Sequence, residues 1–145
     1  MKQLICAMMM LLAMSVMSCS KSDDDPQPQT QEKTDAALTG SWAKPAAGGG
    51  YDEAAVFRAD GTMLLYHQNS GYHQKEWFHG TYTASGGTVH ARLCKVNVTG
   101  DETDLDHLDY WAVNSPFQEW EYQYSIKGSV LTLTHYGETW MMDRR

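Results

Sequence analysis

Between Phe117 and Lys127 the chain alternates. Trp120, Tyr122, Tyr124 and Ile126 fall on one side of an extended backbone, and Glu119, Glu121, Gln123 and Ser125 fall on the other. A period of two marks a half-buried β-strand, because successive side chains of an extended chain point to opposite faces. Shorter runs repeat the pattern, setting Phe78, Gly80 and Tyr82 on one face, then Val89, Ala91 and Leu93, then Leu131 and Leu133, then Trp140 and Met142. No stretch of ten residues shows the three-and-four apolar spacing of a helix. Strands are expected near residues 40–43, 53–58, 62–67, 75–84, 88–98, 108–113, 117–127, 129–135 and 138–144. Asp60-Gly61, Gly86-Gly87 and Lys127-Gly128 are expected as hairpin turns, since glycine accepts the positive φ they require. Eight or nine sequential strands with one apolar face each bury it most economically by closing the sheet, which also removes its edges. The expected fold is therefore all-β, an antiparallel up-and-down β-barrel of about eight strands. Its interior has room for its own side chains or for one small ligand. A two-sheet sandwich is the alternative.

The first 37 residues follow a different pattern. Met1-Lys2-Gln3 places one positive charge before Leu4 to Met17, an apolar run too short to span a bilayer comfortably and read as a secretory signal. Val16-Met17-Ser18-Cys19 then resembles a bacterial lipobox, with a branched aliphatic residue, a small residue and the cysteine that takes the lipid. Residues 1–18 are thus expected as a lipoprotein signal peptide and Cys19 as the lipidation site. Residues 19–37, with Asp23-Asp24-Asp25 followed by Pro and Gln, carry no aromatic side chain and too little apolar surface to offset the entropy of ordering. This acidic segment is expected as a flexible tether, reaching roughly 60 Å when extended. The domain proper is expected over 38–145.

Composition narrows the function. All 16 aromatic residues lie at or after Trp42, and 18 acidic against 11 basic residues give a net charge of −7. That balance argues against nucleic-acid binding, which needs a basic face. With Cys6 in the removed signal and Cys19 lipidated, Cys94 stands alone in the domain, so no intrachain disulfide is expected.

Several motifs in order look like a known family. Leu38-Thr39-Gly40-Ser41-Trp42 resembles the Gly-x-Trp opening strand of lipocalins and the wider calycin group, and Phe57-Arg58-Ala59-Asp60-Gly61-Thr62 is similar to a hairpin of small lipocalin-like domains in Bacteroidetes lipoproteins. Gly80-Thr81-Tyr82, Tyr124-Ser125-Ile126 and Leu131-Thr132-Leu133 fit its later strands. The resemblance implies that Trp42 closes the barrel floor beneath a basic side chain from the chain end, Arg144, or Arg145 in its place. A guanidinium over an indole face gains roughly 0.5–2 kcal/mol. The acidic run after Cys19 resembles a surface-export signal of the same lipoproteins, which implies an outer-membrane location, at the cell surface or facing the periplasm. Tyr110-Trp111 to Trp120 is more aromatic than the family pattern, and 99–107 is a longer and more acidic loop.

Candidate chemistry is sparse. The acidic loop 100–109 has closely spaced carboxylates of the kind calcium prefers, yet position 6 counted from Asp101 is Asp106 rather than Gly and position 12 is Ala112 rather than Glu, so a solvated loop is expected. The six histidines form no close ligand motif; His67 and His73 flank one loop. Glu119 and Glu121 stand about 6.6 Å apart along a strand, within the range of glycosidase carboxylates, but on the face away from the aromatic side chains. His90 lies about 13 Å along the strand from Cys94, too far to activate it. The expectation is a protein that is not an enzyme and holds no cofactor or metal. Trp111, Trp120, Tyr122 and Tyr124, with Phe78 and Tyr82, are the candidate ligand-binding residues, as cavity lining or as a stacking platform for glycans. Asn114-Ser115-Pro116 reads as a hairpin turn that sets Trp111 and Trp120 face to face at a barrel rim. Two functions follow: a membrane-anchored module holding a small apolar or amphipathic ligand in the barrel, or an interaction protein with a filled barrel that serves a larger surface complex, one that handles glycans.

Overall fold

Glycine at positive φ turns the chain between neighbouring strands. Gly86 and Gly87, at φ 59° and 83°, make the tight turn between the two longest strands, a pair of left-handed residues matched to the twist of a two-residue hairpin. In the computed structural model, which describes residues 34–69 and 74–145, nine strands follow one another. They are β1 (Gly40–Pro45), β2 (Tyr51–Phe57), β3 (Thr62–Asn69), β4 (Gln74–Ser85), β5 (Thr88–Thr99), β6 (Asp109–Val113), β7 (Gln118–Lys127), β8 (Val130–His135) and β9 (Glu138–Arg144). The segment expected as a signal peptide, Cys19, most of the segment expected as a tether and His73 lie outside the described residues.

All pairings are antiparallel. Strands β1 to β5 pair in sequence, β7 takes the place beside β5, β8 and β9 follow, and β9 returns to β1 through Trp42 opposite Arg144 and Ala43 opposite Asp143. Eight strands thus close a barrel, as the alternation requires. The last bottom turn is Gly128-Ser129 rather than Lys127-Gly128, because Lys127 pairs with Val130. Tyr136-Gly137, with both residues at positive φ, makes the corresponding turn between β8 and β9.

The inward face is the expected one. Trp42, Phe57, Met63, Tyr82, Leu131 and Leu133 belong to one buried cluster, joined by Leu38 beneath the barrel. Gly80 is an inward position with no room for a side chain: a Cβ there would lie 1.8 Å from the carbonyl oxygen of Arg92. Close approach of β4 and β5 at this point requires glycine. Contacts to the barrel begin ahead of Leu38, within the segment read as tether. Tyr124 donates its hydroxyl hydrogen to Asp35 Oδ2 at 2.5 Å, and the amide of Leu38 donates to the Asp35 carbonyl at 3.0 Å.

The outward face of half the barrel is buried as well. Ala54-Ala55-Val56-Phe57 and Met63-Leu64-Leu65-Tyr66 are buried on both faces of β2 and β3. Ala43, Ala54, Val56, Leu64 and Tyr66 form a second cluster, into which the segment between β5 and β6 inserts Leu105 and Leu108. The acidic loop is therefore not wholly solvated. Its carboxylates are exposed, but its two leucines anchor it, and Leu108 serves this cluster instead of opening β6. Polar ties fix it further: Ser41 Oγ donates to Asp106 at 2.6 Å, Tyr51 Oη to the Thr103 carbonyl at 2.8 Å, and Arg58 to the Leu108 carbonyl at 3.4 Å.

A further expectation fails. Asn114-Ser115-Pro116 does not turn a hairpin, because β6 and β7 both run antiparallel to β5, with Val113 opposite Val96 and Gln118 opposite Leu93. They are successive pieces of one interrupted strand, and Trp111 and Trp120 do not face one another across a turn. The four residues 114–117 stand opposite two, Cys94 and Lys95, so the excess loops out. Ser115 Oγ accepts the Lys95 amide at 2.8 Å, and the Asn114 amide donates to the Lys95 carbonyl at 2.7 Å.

Candidate functional site

Two groups of aromatic side chains are candidates, one inside the barrel and one outside. The barrel floor comes first, because it closes one end. Trp42 has no exposed surface, its indole Nε1 donates to the Leu38 carbonyl at 2.8 Å, and Arg144 Cζ lies 4.2 Å from its ring centroid. Arg144 also donates to the carbonyls of Thr39 at 3.1 Å and Ala37 at 2.5 Å, which ties the chain end to the segment entering β1. Arg145 points elsewhere, over the Tyr51 ring at 5.4 Å.

Toward the opposite end, rings from five strands meet. His67 of β3 stacks on Phe78 of β4 at 5.2 Å and on Trp140 of β9 at 5.3 Å. Trp120 of β7 lies 5.1 Å from Phe78 and stacks on His135 of β8 at 5.2 Å, while Tyr122 lies 4.8 Å from His135. Centroid separations of 4.5–7 Å are contact distances for aromatic pairs. Phe78, Trp120 and Tyr122 are therefore brought together, spanning the lumen with His67 and Trp140. Tyr82 and Tyr124 sit nearer the floor with their hydroxyls committed, Tyr82 to the Arg58 carbonyl at 3.0 Å and Tyr124 to Asp35. Burial, with the Asp35 carboxylate beside it, pushes the Tyr124 hydroxyl up to about 12. The Tyr122 hydroxyl is buried without a hydrogen-bond partner among the described residues, and burial drives its pKa upward.

Trp111 belongs to neither group of rings in the lumen. Ala112 pairs with Asn97 and Tyr110 with Val98, so Trp111 is the extra residue of a β-bulge in β6. A bulge re-aims the side chain it carries. Here it leaves Trp111 63% exposed on the outer wall, beside a groove of about 400 Å³ lined also by Glu76 and Trp77 of β4, Lys95 to Val98 of β5 and Asn114. Glu76 and Lys95 form an ion pair across it. The amides of Asn97 and Asn114 bond reciprocally, at 3.3 and 2.8 Å. Trp77 is 8% exposed, and its buried Nε1 has no hydrogen-bond partner among the described residues. Tyr110, stacked on His79 at 3.7 Å, with Val113 and Phe117, continues the exposed apolar strip along β6 and beyond.

Sequence reasoning passed over Trp77, Asn97 and Lys95. Trp77 beside Phe78 was the readable signal, since two large rings in succession on a strand place one on each face. The bulge and the Asn97–Asn114 pair had no signal, because both depend on how β6 registers against β5.

The remaining polar candidates are occupied in other ways. Glu119 pairs with Arg92 at 3.4 Å and Glu121 lies 3.5 Å from His90, all exposed on the outer wall. Cys94 is buried with Sγ 3.4 Å from the His79 carbonyl oxygen, and burial raises its thiol pKa, which works against a nucleophilic thiolate. Among the described residues no group of three or more His, Cys, Asp or Glu side chains is placed to hold a metal ion.

No family model matches this chain, and no curated protein matches it. A solved structure of an uncharacterized protein from Bacteroides eggerthii DSM 20697 is similar to it, at 16% identity over 74% of this chain and 98% of that one, with a TM-score of 0.41.

Proposed function

We propose that the chain is a non-enzymatic interaction module, held at the outer membrane by a lipid on Cys19, in which the barrel is a filled scaffold and recognition takes place on its outer wall. The carrying observation is the stack of His67 on Trp140, 5.3 Å apart, reaching from β3 to β9 across the lumen. Rings in contact at that level leave little space for a ligand of lipocalin type. The closed eight-strand barrel with Trp42 beneath Arg144 supports the lipocalin-like resemblance as a matter of architecture. The lipobox-like Val16 to Cys19 and the acidic segment after it support the anchor.

A second reading, a small amphipathic ligand inside the barrel, is favoured by the unpartnered Tyr122 hydroxyl, which a polar ligand atom would satisfy. Titration of the wild-type protein with an environment-sensitive apolar dye separates the two. A filled scaffold gives no saturable lumenal binding. A single dye equivalent, displaced by fatty acid and lost in Tyr122→Phe or Trp120→Ala, would establish the lumen as the site instead. The anchor has its own measurement: labelled palmitate should enter the wild-type chain, and Cys19→Ala should take up none and leave the membrane fraction.

A further inference from the structure

We infer that the groove beside Trp111 is a binding site for a neutral carbohydrate. The inference rests on the outer-wall reading and names its ligand. The bulge turns Trp111 onto the groove and leaves most of its surface exposed. An exposed indole face is matched by the apolar C–H face of a pyranose ring, whose rim still carries hydroxyls for polar neighbours. Those neighbours are present. A primary amide has two N–H donors and a carbonyl with two lone pairs, so the reciprocal Asn97–Asn114 bonds leave one donor and one lone pair on each residue for a ligand. A planar edge that both donates and accepts suits vicinal hydroxyls, which do the same.

The charge and the paired amides narrow the class. The ionised groups of the lining, Glu76 and Lys95, pair with each other, so no uncompensated cation faces a phosphate or carboxylate. A neutral ligand is the match. Trp77, 8% exposed, lines the groove as a second indole, and the free donors and lone pairs of the Asn97 and Asn114 amides have no use for a hydrocarbon chain. The volume, about 400 Å³, falls in the lower part of the range for small-molecule sites and suits a short saccharide.

The test uses the full-length chain in detergent micelles, with the methyl glycosides of glucose, galactose, mannose and N-acetylglucosamine as probes, followed by an array of longer glycans. Binding is read by saturation-transfer NMR and by the indole N–H resonances. The expected result is saturable binding of at least one probe that shifts the indole signals of Trp77 and Trp111 and leaves those of Trp42 and Trp140 in place. Trp111→Ala should weaken it on the order of tenfold or more, as loss of a central aromatic anchor does. Trp111→Tyr, which keeps a flat ring, should bind within a few-fold of wild type. Failure of every sugar to bind would overturn the inference, and so would binding that ignores Trp111→Ala. The outer-wall reading fails separately, through lumenal dye uptake. A protein partner lost with Trp111→Ala while all sugars fail would retain outer-wall recognition and remove the carbohydrate.

Discussion

The inner and outer walls of this barrel both carry large rings, in opposite circumstances. Inside, Trp42 is fully buried between the Leu38 carbonyl and the Arg144 guanidinium, and Trp120 and Trp140 are held by neighbouring rings. Outside, Trp111 rides on a bulge with more than half its surface in water, beside the paired amides of Asn97 and Asn114. Rings of the first kind are explained by the core they fill. Rings of the second kind lower solubility without adding to the core, so a use must account for them. The difference teaches that aromatic content alone does not locate a site; what marks one is an aromatic side chain left uncovered beside adaptable polar groups.

The comparison breaks most visibly at Trp42. Trp42→Ala should cost about 3–5 kcal/mol in chemical denaturation, through the cavity and the loss of its guanidinium and carbonyl partners. An unchanged midpoint would remove Trp42 from the floor of the barrel. On the outer wall, Leu108→Ala should cost roughly 2–3 kcal/mol, since the side chain is buried against the second cluster. A cost near zero would make the acidic segment a loose flap and leave the barrel with one core rather than two.

Glu53 gives a smaller effect with a defined pH dependence. Its Oε2 is buried without a hydrogen-bond partner among the described residues, and burial raises its carboxyl pKa above the ordinary 4.5, with Lys44 at 3.8 Å opposing the shift. The folded state thus holds this proton more tightly than the unfolded chain. The stability linked to Glu53 is full below the ordinary carboxylate pKa and is lost as pH rises through the raised folded value. Glu53→Gln should therefore be more stable than wild type at neutral pH, a difference that thermal melts should find fading near pH 4. A constant difference across that range would assign the effect to packing. The smallest change belongs to Trp111→Ala, whose melting should stay within about 0.5 kcal/mol of wild type because the ring supports no core. A loss as large as that of Leu108→Ala would make Trp111 a structural residue and sharpen the outer wall into a pure scaffold.

Much of the barrel was legible because alternation of period two is a local property. Trp120, Tyr122 and Tyr124 announced the inward face of β7, and Asp60-Gly61 and Gly86-Gly87 announced hairpins between neighbouring strands. The outer cluster was written just as plainly in Ala54 to Phe57 and Met63 to Tyr66, continuous apolar runs that belong to strands covered on both faces. Read for alternation, they showed only their inward half. Leu105 and Leu108, embedded among acids, looked like part of a solvated loop because the surface they cover comes from strands some 40–60 residues earlier.

What the sequence determined by itself was the strand content, the inward face and the hairpins, since each follows from side-chain alternation and turn chemistry within a few residues; closure into a barrel rather than a sandwich needed β9 to pair with β1, some 100 residues away. Only the tertiary structure decided the rest. Asn114-Ser115-Pro116 has the composition of a turn, yet β5 is long enough to pair with β6 and β7 end to end, so the excess residues loop out instead of reversing the chain. That same register leaves Trp111 without a cross-strand partner and brings Asn97 beside Asn114. Cross-strand register is a relation between distant segments, settled by the packing of both against the barrel, and the candidate site exists only through it.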